Sequence, residues 1–171
     1  MVTMGIDAST RCTGFSIFQN NALIKWGKID LINDKEMTWR ERVVFMMGHI
    51  ADIAREYKVE QICVEVPVKT IKNVNTLEQL FSLHGAIIGV ASTLDIKVIP
   101  VEVSTWRKDV GILSGITKDD SKHKREILKK RSIETANELY GLDLDWRSVN
   151  SKYNDDDISD SILIVHSVLH K

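Results

Sequence analysis

Three strand-type runs in succession at the start of the chain limit most strongly what it can fold into. VTMGID (2–7), TGFSIF (13–18) and ALIKWGKID (22–30) set β-branched and aromatic residues against small or polar ones at the two-residue period of a strand. Gln19-Asn20-Asn21 supplies a tight turn between the second and third runs, so the three read as a meander of antiparallel strands. Over 35–58 the period changes: Trp39, Val43, Met46, Met47, Ile50, Ile53, Ala54 and Tyr57 recur at intervals of three and four, the stripe of a long amphipathic helix lying on a sheet. QICVEV (61–66) is a fourth strand stopped by Pro67, and a polar loop follows to Thr76. A helix is predicted over 77–94, where Gly85, Ala86, Gly89 and Ala91 permit close packing, and a fifth strand over 96–101.

A helix between the fourth and fifth strands makes a crossover, which requires those two strands to be parallel. The expected fold class is therefore α/β: a five-stranded mixed sheet, three N-terminal strands antiparallel and two parallel, flanked by helices. A short helix over 104–112, a Gly/Ser loop, a basic helix over 119–140 and a final helix over 156–170 complete the reading. There is no repeat, low-complexity tract or linker, so residues 1–171 are expected to form one domain, long enough to bury a full core.

Composition enters through charge and cysteine. Lys and Arg number 23 against 24 acids, but residues 104–131 carry a net of +5 and residues 132–171 a net of −5. The first stretch can dock a polyanion; the second can hold divalent cations if its acids converge, while the plainer reading is a solvated helix face beside an acidic surface. Cys12 and Cys63 lie in apolar runs, which points to free thiols in a reducing compartment, and two cysteines cannot build a cysteine zinc site. With no signal-like N-terminus and no apolar run of about 18 residues, a cytoplasmic, unanchored protein is expected.

Three acidic positions stand out. Asp7 ends the first strand, where a carboxylate opens into a crevice. Glu65 sits inside an otherwise apolar strand, where an unpaired carboxylate would cost several kcal/mol without a cation or donors. The plainer alternatives are a turn-capping role for Asp7 and a buried Lys or Arg partner for Glu65. Asp157 and Asp160, three residues apart in DDDISDSILI, share a helix face that continues through Ser161, Ile164 and Val168 toward the core. Asp155 and Asp156 are assigned to capping that helix. Carboxylates from separated elements suit hard cations with oxygen ligands, and His49, His84, His123, His166 and His170 are too scattered to compete.

GIDASTRCTGFSI, ICVEVP and DDDISDSILI, in this order and spacing, resemble the three acidic motifs of the RuvC family of Holliday junction resolvases, most of all its compact bacteriophage-type members. The resemblance implies a ribonuclease H-like fold, a homodimer with two active sites and cleavage of opposed strands in branched DNA. By position, Asp7, Glu65, Asp157 and Asp160 match the family's catalytic, metal-binding acids. Asp7 would bridge two Mg²⁺ ions, for which Mn²⁺ would substitute, Glu65 would ligate one and Asp157 with Asp160 would complete the other. Water attack would leave a 5′-phosphate and a 3′-hydroxyl. Ser9, Thr10 and Thr13 are left to turn geometry and strand packing.

DNA contact is expected from the loop after the second acid, with Lys69, Lys72 and Asn73, and from the basic stretch, with Arg107, Lys108, Lys118, Lys122, Lys124 and Arg125. Lys129, Lys130 and Arg131 are read as solvated. Where many bacterial relatives carry an aromatic after the second acid, this chain has Pro67-Val68-Lys69, which favours structure-selective cleavage of four-way junctions, three-way branches and flaps over strict sequence preference. The loop 111–120 is longer than that family leads one to expect, and Met46, Met47 and the helix 77–94 can serve either a dimer interface or the core. Two other readings stay open: a module that holds branched DNA without cutting it, and a ribonuclease that cuts RNA in hybrids.

Overall fold

The computed structural model describes residues 1–67, 73–117 and 119–170. β1 (Val2–Asp7), β2 (Cys12–Gln19) and β3 (Ala22–Asp30) form the antiparallel meander, and β4 (Gln61–Glu65) and β5 (Lys97–Val101) extend the sheet on the other side of β1. The order is β3-β2-β1-β4-β5, with β1, β4 and β5 mutually parallel. Asn20 and Asn21 both have positive φ, 49° and 68°, the left-handed pair that a two-residue hairpin turn requires and that Asn tolerates.

The two sheet faces bury separate cores. On one, α1 (Trp39–Glu56) and α2 (Val74–Thr93) cover Met4, Ile6, Ile17 and Ile62. Met46 and Met47 are both buried there, so they belong to the core rather than to an interface. On the other face, α3 (Val103–Asp109), α4 (Lys124–Tyr140) and α5 (Asp156–Leu169) gather around Phe18, Cys63, Trp106 and Ile162. Both cysteines are free and buried.

Helix starts differ from the periodicity where caps decide them. α1 begins at Trp39, not at 35, because Thr38 and Glu41 form a reciprocal capping box. α2 begins at Val74, three residues before the expected start, because the Asn73 side chain accepts the Thr76 N–H. The basic helix is divided: a 3-10 turn over Asp119–Lys122 precedes α4, whose end is set by Gly141 in the left-handed conformation. α5 is buried on almost every side, Ser159 and Leu163 included, because the sheet covers one flank and α4 the other.

α5 lies unusually close to the sheet. Ser16 Oγ donates to the Ser161 carbonyl at 2.9 Å, and a Cβ on Gly5 or Gly14 would overlap the Ser161 or Asp157 carbonyl oxygen. Gly5, Gly14 and Ser16 are therefore small because the helix backbone needs their space, and this approach brings the start of α5 over the end of β1.

Candidate active site

Strand alternation aims the first two acids. Gly5 faces α5, so Asp7, two residues on, faces the same side, as do Cys63 and then Glu65 on the neighbouring parallel strand. Ile6 pairs with Val64, so Asp7 and Glu65 stand one residue beyond that pair, side by side at the ends of two parallel strands. Across from them, α5 presents Asp157 and Asp160 from its first turns.

The four acids are close enough to act on one another. Burial raises the Asp7 carboxyl well above the usual range, and the charges of Asp160, Asp157, Glu65 and Asp156 raise it further. Burial pushes Asp160 up to about 7, against the opposing pull of Arg107 and of the Ser132 hydroxyl that donates to it. Glu65 is raised by burial, opposed by the Trp106 indole, whose Nε1–H donates to Glu65 Oε2 at 2.8 Å, and by the charge of Arg107. Asp157 is raised by burial, while the Cys12 thiol hydrogen-bonds to it and works the other way. Carboxyl groups are thus concentrated where β1, β4 and α5 meet, and ionising them together carries a cost that a cation would relieve.

Two assignments from the sequence change here. Asp155 occupies the N-cap position of α5 but makes no capping bond; its carboxylate holds Lys28 Nζ at 3.0 Å and the Asp145 N–H, because the 141–155 loop folds back against β3. Asp156 is buried and pairs with Lys129 Nζ at 2.5 Å. Lys129 is therefore not a solvated side chain, and neither is Arg131, which donates to the Ile112 and Ser114 carbonyls and ties down the 111–117 loop. Both point inward because α4 lies against α5, with the loop after α3 alongside it. Lys130 does remain on the surface, 3.7 Å from Glu134.

A cleft of about 500 Å³ adjoins the acids, lined by Arg107, Lys124, Arg125 and Lys129 together with Asp156 and Asp160. It joins a positively charged wall to the carboxylates without an intervening element. Lys108, Lys122, Lys124 and Arg125 are exposed, whereas Arg107 is half-buried against Asp160 and stacks over Trp106. Asn73 uses its carbonyl oxygen as the α2 cap. Lys69, Lys72 and Lys118 lie outside the described residues. Thr13 Oγ1 donates to the Ser9 carbonyl and accepts the Ser9 N–H, and Thr10 Oγ1 donates to Gln79, so these hydroxyls shape the turn after Asp7.

Sequence reasoning missed Trp106, Ser132 and Cys12 as partners of the acids. None is marked by pattern: Ser132 sits in a basic helix, and Trp106 reads as an ordinary core aromatic. Asp156 left one trace, its place in the run of three acids.

No protein-family model matches the chain, and neither does any curated protein. Solved structures do. Thermus thermophilus RuvC in complex with Holliday junction substrate superposes with a TM-score of 0.71 at 13% identity, covering 98% of this chain and 92% of that one. The chain has the fold of the RuvC resolvases. The fowlpox virus resolvase in complex with substrate Holliday junction DNA aligns at 0.61 and 17% identity, over 99% of this chain and 97% of that one. The yeast mitochondrial Holliday junction resolvase aligns at 0.59 and 14%, over 96% and 76%. The RuvC fold, a ribonuclease H-like mixed sheet with helices on both faces, accordingly agrees with the expectation from the three acidic motifs.

Proposed function

We propose that this chain is a metal-dependent, structure-selective DNA endonuclease that cleaves Holliday junctions and other branched DNA. The observation that carries the reading is the meeting of Asp7 and Glu65, from adjacent strand ends, with Asp157 and Asp160 of α5 beside a cation-lined cleft. The shared fold with the three resolvases supports it.

The donor set fits a hard divalent cation: it consists of carboxylate oxygens, and the like charges already raise one another. Among the described residues no three acidic, His or Cys side chains are gathered tightly enough to hold a metal ion as they stand; Glu65 is bound by Trp106, and Asp160 by Ser132 and Arg107. Asp7, Glu65, Asp157 and Asp160 would hold Mg²⁺, or Mn²⁺ in its place. Bound there, such ions supply an acidified water and take up charge on the leaving oxygen, giving a 5′-phosphate and a 3′-hydroxyl. Trp106 and Ser132 orient Glu65 and Asp160, Cys12 orients Asp157, and Lys124 and Arg125 seat a phosphate in the cleft.

Paired cuts across a junction need two sites, and we place the contact between two copies on the outer face of α2, where Val74, Phe81 and Ile88 stay exposed. Phe81→Asp should then convert dimer to monomer in sedimentation.

The test is incubation of the protein with end-labelled four-way junction, three-way branch, flap, duplex, single strand and RNA–DNA hybrid, each with Mg²⁺, Mn²⁺ or chelator. Metal-dependent paired nicks in branched DNA are expected. Binding without cutting would make the chain a junction-holding module, and cleavage of the hybrid alone would make it a ribonuclease.

A further inference from the structure

Arg107 occupies a singular position. Its Nη2 is 3.7 Å from Asp160 Oδ2, its guanidinium lies 5.0 Å from the centre of the Trp106 ring, and that indole is bound to Glu65. Its positive charge acts on both Glu65 and Asp160, the acids contributed by β4 and α5. The Arg107 Nε is buried without a hydrogen-bond partner among the described residues, so the guanidinium is only partly satisfied where it sits. Space lies around it: Arg107 lines both the cleft of about 500 Å³ and a smaller cavity of about 190 Å³ formed with Val103, Ser104 and Leu113.

A group that pairs with Asp160, acts through its charge on Glu65, leaves a donor unmet and borders open space is suited to being exchanged. We propose that Arg107 is a resident counter-ion of the acidic site, seated between Glu65 and Asp160 while no divalent cation is bound and displaced into the adjoining cleft when one enters. The proposal rests on the reading of these acids as a cation site. Guanidinium and divalent cation compete for the same carboxylate charge, so Arg107 lowers the intrinsic affinity for metal. In return it prevents the four acids from facing one another uncompensated. Once displaced, it joins Lys124 and Arg125 in the cleft, where a planar fork of donors suits a phosphate. The site is thereby kept from closing tightly on metal before a phosphate is there to receive the arginine, and by linkage phosphate and metal favour each other.

The experiment is equilibrium Mn²⁺ titration of the DNA-free protein, followed by electron paramagnetic resonance, for the wild type, Arg107→Met, Arg107→Lys and Glu65→Gln. Arg107→Met should bind Mn²⁺ more tightly, on the order of tenfold, because one competing charge has gone. Arg107→Lys should remain near the wild type, because the charge is kept. A merely structural role for Arg107 would weaken binding in the methionine variant, and circular dichroism confirms that each variant is folded. Equal or weaker Mn²⁺ binding by Arg107→Met, with wild-type binding that Glu65→Gln reduces, overturns the counter-ion role and leaves the cation site standing. Wild-type binding that is absent, or that Glu65→Gln leaves unchanged, overturns both.

Discussion

Gly14 of β2 and Asp157 of α5 meet backbone to backbone: a Cβ on Gly14 would overlap the Asp157 carbonyl oxygen. The contact is made by a residue that carries no side chain with one that carries a candidate catalytic carboxylate. The position of the third acidic motif is therefore set by the smallest residue of the first.

Gly14→Ala should displace the start of α5, costing about 1–3 kcal/mol of stability as an overpacking change. Cleavage should fall more than stability, because Asp157 and Asp160 move together with the helix. Gly48 provides the control, since a Cβ there meets nothing within 4 Å and Gly48→Ala on the exposed face of α1 should stabilise by about 1 kcal/mol. Thermal melts and junction cleavage on both variants check this; equal behaviour of the two would remove the role given to the close approach.

Asp7→Asn or Glu65→Gln should abolish cleavage and leave junction binding unchanged or tighter. Each removes a charge from the acidic site and leaves Lys124 and Arg125 in place. Gel-shift titrations in chelator alongside cleavage assays separate the two effects, and lost binding would count against the assignment.

Lys122→Ala with Lys124→Ala should weaken junction binding and flatten its dependence on salt, by roughly one unit of log–log slope per lost phosphate contact. Both side chains are exposed at the start of the basic segment, Lys122 in the 3-10 turn and Lys124 as the first residue of α4. Anisotropy titrations over a salt series read this directly. An unchanged slope would move the DNA surface elsewhere.

His166 couples the far end of α5 to pH. Burial holds its imidazole below the ordinary value, His170 adds to the effect, and its Nδ1 lies 2.7 Å from the Tyr140 hydroxyl. The Tyr140 hydroxyl is itself pushed up to about 12 by burial, so it stays protonated and shares one hydrogen bond with Nδ1. Asp109 and His170 line the small cavity beside it. A base with a depressed folded pKa contributes stability that is present above its unfolded value near 6.5 and is lost as pH falls through the folded value. Wild-type protein should therefore lose stability below about pH 6.5, and His166→Gln should lose less over the same window. Urea melts from pH 8 to pH 5 decide the matter; parallel curves would assign the loss to other groups.

What could be read from the chain alone follows from locality. The meander, its Asn-Asn turn and the two parallel strands were legible because alternation and turn chemistry act over a few residues. Asp7 and Glu65 were legible for the same reason: a carboxylate inside or at the end of an apolar strand is conspicuous wherever that strand lies. Helix starts were less so, since Thr38 and Asn73 override the hydrophobic stripe by satisfying free N–H groups.

By itself, then, the sequence determined the elements, the class of sheet and which acids end its strands, because each is written in a short window of residue types. Tertiary structure alone decided the partners of those acids. Trp106 reaches Glu65 across 41 positions and Ser132 reaches Asp160 across 28, and Lys129 turns inward to Asp156 only because α4 packs on α5. Such pairings depend on which surfaces dock, and docking follows from the combined burial of both cores and from the space left by Gly5 and Gly14.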